Sequence, residues 1–319
     1  MALEKSRDGK IVALAGGVGG AKLAHGLAQI LPAENLTVVV NVADDFEIYG
    51  LSVCPDVDTV MYTLAGIAAR VTGWGIEGDT FRCVEALGKL GAPAWFRLGD
   101  RDLATQLART RWLWDGATLT EATRRLSDSL GVKQTILPCT DDLLRTIVET
   151  EEGDLEFQDY FVRRKFEPVV RGFHLRGLPA ALPSRGFLAA LDEADGVVLC
   201  PSNPFVSLGP ILVLPGVREK IAAKPAVAVT PIIGGRAVKG PLAKMFRELG
   251  RESSAVEAAR EYQGIVRGFI VDRQDAARKG EIEALGFQTA VADTLMNDDL
   301  QRKNLAAETL RFLRTVQAG

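Results

Sequence analysis

Six short apolar runs recur along the chain without the alternation of a half-exposed strand. They are KIVALAG (10–16), NLTVVVNV (35–42), ADGVVLCPSNP (194–204), KPAVAVTPIIGG (224–235), GIVRGFIVD (264–272) and FQTAVADT (287–294). Such runs belong to strands covered on both faces, the condition of a parallel sheet. Helical spacing fills the gaps, first over 21–31 with Leu23, Leu27 and Ile30/Leu31 on one face. It returns over 184–193, 216–223, 240–262 in two pieces, 275–285 and 297–317. This alternation predicts an α/β fold with a doubly wound, mainly parallel sheet.

The middle of the chain reads differently. Residues 60–130 are mainly helical in pattern, and 131–180 read as a β-rich insertion. IVETEEGDLEF there signals a hairpin turning at Glu152-Gly153-Asp154. The expected division is therefore a core of 1–60 and 181–319 around an inserted helical and β-rich region, 61–180, that covers one end of the sheet.

A formal charge of −3 in 319 residues argues against general nucleic-acid binding, which needs a basic footprint. No apolar run reaches the roughly 18 residues of a membrane span, and the start lacks a signal-peptide apolar core. A cytoplasmic protein is expected. Cys54, Cys83, Cys139 and Cys200 are far apart with no CxxC spacing, so they read as single buried thiols. With only His25 and His174 in the chain, a His-rich metal centre is excluded and a His-based triad disfavoured.

AGGVGGAK (15–22) ends a strand and opens a helix. Glycines there let the backbone turn sharply and bring amides close to a phosphate at a helix N-terminus. Two fingerprints nearly fit and fail. Ala21-Lys22-Leu23 stand where a Walker loop needs Gly-Lys-Ser/Thr, and Lys22 replaces the third glycine of GxGxxG. A generic phosphate loop remains, against a purely structural tight turn.

Soon afterwards VVVNVADDFEIYGLSVCPDVDTVMYTL (38–64) crowds in Asp44, Asp45, Glu47, Asp56 and Asp58. A solvated loop or a helix cap would explain some of them. The cluster begins, however, where the second strand ends, and ligands of open α/β sheets bind outside the carboxyl ends of strands. Paired carboxylates facing a phosphate loop are what a Mg²⁺ bridging protein and diphosphate requires. Three further loops carry polar punctuation. RLGDRDL (97–103), read as a strand-to-helix junction, offers Arg97, Asp100, Arg101 and Asp102, either as surface ion pairs or as an arginine for an acidic group. CPSNPFVSLGP (200–210) holds Ser202 and Asn203 in a turn. TPIIGGRAVKGP (230–241) presents Gly234, Gly235 and Lys239 as anion-binding candidates.

These motifs, taken in order with GWGIEGDT and FQDYFV, resemble the signatures of the 2-phospho-L-lactate transferases of coenzyme F(420) biosynthesis, from about residue 11 to about residue 300. The resemblance implies a Rossmann-like core with 61–180 on the acceptor side, a homodimer, and Mg²⁺ as cofactor. The implied reaction moves a phosphorylated three-carbon acid (phospholactate, phosphoenolpyruvate or 3-phosphoglycerate) from a GMP-activated diphosphate donor. The acceptor is the ribityl hydroxyl of a deazaflavin, 7,8-didemethyl-8-hydroxy-5-deazariboflavin (Fo), and GMP leaves.

Mapped onto this chain, the resemblance puts Gly16, Gly17, Gly19, Gly20 and Lys22 by the donor phosphates, and Ser202, Asn203, Gly234 and Gly235 by the guanosine. Asp45 and Asp58 become first choices for Mg²⁺, with Asp44 and Asp56 as alternatives. Asp56, Asp58 and Arg101 become acceptor contacts, and Asp58, Asp45 and Arg101 the catalytic set. Replacing Asp58 by Asn is then expected to abolish transfer with the fold intact. Trp74, Trp95, Phe46, Tyr49 and Tyr62 are candidates to stack on a flat ring. A non-catalytic nucleotide-binding regulator on the same scaffold is the second hypothesis.

Overall fold

The computed structural model describes residues 9–316. Residues 1–10 precede the first apolar run and are expected from the sequence to be mobile, but 1–8 lie outside the described residues. Seven strands form the central sheet: β1 (Ile11–Ala15), β2 (Leu36–Val40), β3 (Thr135–Pro138), β4 (Gly196–Leu199), β5 (Ala226–Val229), β6 (Gly268–Asp272) and β7 (Gln288–Ala292). Their spatial order is β3-β2-β1-β4-β5-β6-β7, and every pairing is parallel. All six apolar runs supply a strand, and β1, β4, β5 and β6 are buried along their whole length. Each fully buried aliphatic side chain contributes about 1.5–3 kcal/mol relative to exposure, which drives helices onto both faces.

One strand comes from an unexpected place. Thr135–Pro138 lies within the stretch read as insertion, yet it pairs with β2 from Thr37↔Thr135 to Val40↔Pro138 and closes one edge of the sheet. A single four-residue run, with Pro138 at its end, gave no periodic signal. An edge strand tolerates that proline because one side of its ladder is unpaired.

Strand order reverses direction between β1 and β4, and in such sheets the crevice at the carboxyl ends beside the reversal is the natural ligand site. Helix α1 (Gly17–Ala28) leaves β1 there, and α2 (Pro55–Leu64) packs against it. Between β2 and α2 the chain makes a tight hairpin, Phe46–Ile48 with Leu51–Val53, turning at Tyr49 (φ 56°) and Gly50 (φ 71°). Residues 61–180 add α3 (Asp100–Trp114) and a three-stranded antiparallel sheet of Arg145–Thr150, Gly153–Glu156 and Val170–Arg176. No strand leads directly into α3; residues 95–98 enter it as irregular chain. The last helix, α4 (Asp299–Leu313), lies on α1 so closely that a Cβ at Gly26 would stand 2.2 Å from the Arg302 carbonyl oxygen.

Two small apolar clusters flank the crevice. Phe46, Ile48, Val53, Val84, Leu98 and Leu103 form one, against Trp95 and Phe96. Val148, Phe157, Tyr160, Val170, Val206 and Met245 form the other. Among the described residues no helix is long and apolar enough to cross a membrane. Three of the four thiols are buried as expected, but Cys83 is exposed at the start of the short helix Arg82–Lys89.

Candidate active site

A cavity of about 540 Å³ opens at the carboxyl edge of the sheet. It is walled by the segments that follow β1, β4, β5 and β7, by one face of α2, and by the two flanking clusters.

The glycine turn forms its floor. Gly17 takes φ +62°, the left-handed region in which a side chain is strained. The other glycines are demanded by close packing. A Cβ at Gly19 would stand 2.3 Å from the Pro201 carbonyl oxygen, and one at Gly20 2.6 Å from Ser202 Oγ. At Gly16 it would meet Ser207 Cβ at 2.6 Å and Asp56 Oδ2 at 2.8 Å. The turn is thus structural and also phosphate-ready. Gly16 N–H donates to Ser202 Oγ (3.1 Å) and Gly17 N–H to Asp56 Oδ1 (2.8 Å). The amides of Val18 and Gly19, which line the cavity, begin a helix whose first N–H groups have no intrahelical partner.

The structure sorts the acidic residues. Asp44, Asp56 and Asp58 line the cavity. Asp45 does not; burial pushes its carboxyl up to about 7, against the lowering pull of Arg145, Cys54 and Arg109. Among the described residues, Asp44 Oδ1 is buried without a hydrogen-bond partner. Burial first, then the neighbouring Asp56 and Asp45 carboxylates, hold Asp44 well above the usual carboxylate range. Asp56 is pushed up to about 6, chiefly by burial, while hydrogen bonds from Asn41 and Gly17 hold it down. Asn41, at the end of β2, fixes this corner by donating to Asp56 Oδ2 (3.0 Å) and to the Val206 carbonyl (3.2 Å).

Asp58 is otherwise engaged. Arg109, wholly buried, grips both its oxygens, with Nη1 on Oδ2 at 3.1 Å and Nη2 on Oδ1, and Gln106 Nε2 donates to Oδ2 at 2.9 Å. Gln106 Nε2 also reaches Asp102 Oδ1 (2.8 Å), which accepts from Tyr62 as well (2.8 Å). Asp102, Gln106 and Arg109 come from α3, whose polarity is inverted. Asp102, Thr105, Gln106, Arg109 and Thr110 are buried, whereas Leu107 and Trp114 are 57% and 74% exposed.

Among the described residues no group of three or more His, Cys, Asp or Glu side chains could hold a metal. The donor set that fits a hard cation is the Asp44/Asp56 pair, with an unpartnered oxygen. Mg²⁺ is suited to such a site, because it retains waters and uses one or two carboxylates plus substrate phosphates.

The positive side of the cavity is carried by Lys22 and Lys239. Burial lowers both ammonium pKa values, and Lys22 is further lowered by Arg302 and Lys239. Trp95 and Phe96 stack edge-on (5.7 Å), Phe157 and Phe161 lie parallel (5.4 Å), and all four line the cavity.

The remaining expected residues divide. Ser202 and Asn203 line the cavity, but Asn203 Oδ1 is used by the amides of Phe205 and Val206. Gly234 and Gly235 form a hairpin turn behind the lining, where Gly234 N–H donates to Asp275. Arg101 is absent from the lining: its guanidinium bonds the Glu77 carbonyl at the surface. Arg97 takes the cavity position instead, 4.1 Å over the Phe81 ring. Trp74, Trp95 and Tyr62 reach the cavity; Phe46 and Tyr49 stand behind it. Neither histidine reaches it. Asn41, Gln106 and Arg109 are the residues that sequence patterns missed. A polar residue ending the apolar run VVVN was a usable signal for Asn41, whereas nothing local marks a helix with its polar face inward.

The family model described as 2-phospho-L-lactate transferase CofD matches residues 11–311. The chain is 42% identical over 296 residues to a 2-phospho-L-lactate transferase of Methanosarcina mazei, covering 93% of this chain and 98% of that one. It is 39% identical over 317 residues to a phosphoenolpyruvate transferase of Streptomyces griseus, covering 97% and 100%. A crystal structure of a protein member of the UPF0052 family from Bacillus halodurans superimposes with a TM-score of 0.61 at 18% identity, covering 95% of this chain and 99% of that one. At that identity the likeness shows the fold alone.

Proposed function

The chain belongs to the 2-phospho-L-lactate transferase CofD family, so it is an enzyme that transfers phosphate-containing groups in coenzyme F(420) biosynthesis, and from that premise we propose its substrates and the roles of its residues. The acceptor is the deazaflavin Fo. The donor is a three-carbon acid joined through its phosphate to GMP, and GMP leaves.

One observation carries this proposal. The N-terminus of α1 and the Asp44/Asp56 pair open onto the same cavity and are tied together by the Gly17–Asp56 hydrogen bond. Displacement at phosphorus needs positioning and charge neutralisation above all. Lys22, Lys239 and the free amides of α1 would hold the donor's diphosphate. Asp44 and Asp56 would hold Mg²⁺, which when bound supplies charge neutralisation at that diphosphate. The flat deazaflavin would lie between the Trp95–Phe96 and Phe157–Phe161 walls, with Arg97 and Gln106 as polar contacts. Trp95 and Phe96 exclude water from the transfer point once the ring is seated.

The test is purified protein with Mg²⁺, Fo and each candidate donor, followed by GMP release and product mass. Release of GMP only when donor and acceptor are both present supports the transferase. Donor binding with no release under any combination favours the non-catalytic regulator instead.

A further inference from the structure

We infer that Asp102 is the general base that takes the proton from the attacking hydroxyl of the acceptor. The inference rests on the transfer reaction proposed above and assigns a role in it that sequence patterns had given to other carboxylates.

A base in this cavity needs a carboxylate oxygen that is free, faces the acceptor side and is not held by a cation. Asp45 does not reach the cavity. Asp44 and Asp56 sit together at the phosphate end. Arg109 grips both oxygens of Asp58 and Gln106 adds a second donor on Oδ2, so taking up a proton there would weaken a buried ion pair. Asp102 is different. Tyr62 and Gln106 both bond its Oδ1, which fixes the carboxylate plane and leaves Oδ2 with no donor among the described residues. Its backbone N–H is anchored in turn by Asp79 (3.0 Å), so the side chain leaves a fixed point at the start of α3. It lines the cavity beside Trp95, Phe96 and Arg97, the side proposed for the acceptor.

The electrostatic surroundings suit the task. Burial, and then the negative charge of Asp58, push Asp102 up to about 6; the hydrogen bonds from Tyr62 and Gln106 and the charge of Arg109 pull it down. A base with a pKa near the working pH combines a large ionised fraction with useful proton affinity. The charged and titratable groups around it are Asp58 and Tyr62 from α2, Arg109 from its own helix, Asp79 from the loop before the short helix Arg82–Lys89, and Arg97 in the cavity lining.

The step balances. As the acceptor oxygen bonds to the donor phosphorus next to the three-carbon acid, its proton passes to Asp102 Oδ2. The bond from that phosphorus to the oxygen of GMP breaks, and its electron pair departs with GMP. Asp102 afterwards returns the proton to water.

The experiment measures kcat/KM for the acceptor against pH, at saturating donor and Mg²⁺, for wild type, Asp102→Asn and Tyr62→Phe. Wild type should lose activity below a pH near 6. Asp102→Asn should fall about 10²–10⁴-fold, keep donor affinity within two-fold, and lose that acidic limb. Tyr62→Phe removes a hydrogen bond that favours the ionised form, so its limb should move to higher pH. A limb unchanged in Tyr62→Phe, or Asp102→Asn activity above a tenth of wild type, overturns this inference alone. Should Asp102→Asn fail to fold, as judged by its thermal melt, the Tyr62→Phe shift decides. Wild-type protein that releases no GMP overturns the proposed reaction and this role together.

Discussion

The backbone N–H of Gly17, the first residue of α1, donates to Asp56 Oδ1 in the first turn of α2 at 2.8 Å. This bond joins the two loops that the sequence left 39 residues apart, and it makes the acidic stretch part of the phosphate loop's own wall. Asn41 holds the other oxygen of the same carboxylate at 3.0 Å. Asp56→Asn would keep an acceptor for Gly17 but turn an amide NH₂ towards Asn41 Nδ2, a donor against a donor. The Mg²⁺ concentration for half-maximal GMP release should rise by at least about 10-fold, since even partners behind a metal ligand typically matter that much. An unchanged Mg²⁺ titration would remove Asp56 from the cation site.

The glycines should separate by mechanism when each is made alanine. Gly17→Ala incurs left-handed backbone strain of about 1–2 kcal/mol with no clash, since the new Cβ would stand 3.9 Å from Asp56 Oδ1. Gly19→Ala must push its new methyl group off a backbone carbonyl 2.3 Å distant, so either α1 or the 201–203 turn has to move. Urea denaturation should show the larger loss for Gly19→Ala, with weakened donor binding. Equal losses would mean that the turn after β4 yields easily.

Asp58→Asn should not leave stability untouched, contrary to what the motif alone suggested. It removes the charge partner of Arg109, a guanidinium with 0% exposure. Breaking a buried pair from one side costs about 3–5 kcal/mol. Chemical denaturation measures this directly, and an Asp58→Asn protein as stable as wild type would show that the pair is not buried in solution.

The pH dependence of stability follows from Asp45. Its carboxyl is raised from 3.8 to about 7 by burial, so the folded state holds its proton more tightly than the unfolded chain does. The contribution is fully favourable below pH 4 and is lost as pH rises through about 7. In Mg²⁺-free buffer, Asp45→Asn should melt several degrees above wild type at pH 8, and the difference should vanish below pH 4. A variant that melts lower than wild type at pH 8 would mean that Arg145 and Arg109 outweigh the burial.

Much of the fold was legible because a parallel sheet buried on both faces imposes unbroken apolar runs, and all six runs became strands. The glycine turn was legible for a similar reason: few sequences permit a left-handed Gly17 followed by a helix packed at contact distance on another loop. Strand β3 was not legible, since four residues ending in proline carry no period of their own and gain their partner only from β2. The small hairpin at Tyr49-Gly50 was hidden inside a stretch whose charges drew attention first.

Which carboxylate does what was a different kind of question. Asp44 and Asp45 are neighbours in the chain, as are Asp56 and Asp58 one residue further apart, and all four look alike in composition. A turn of backbone separates the pair that faces the cavity from a carboxyl tucked behind it. A half-turn of α2 hands Asp58 to Arg109 while Asp56 meets Gly17. The helix that brings Arg109, Gln106 and Asp102 inward does so against its own hydrophobic pattern, with Trp114 left outside. Local sequence governs the backbone path, because sterics and burial act residue by residue. The pairing of distant polar side chains depends on which faces two helices turn towards each other, and that is settled only when the layers pack.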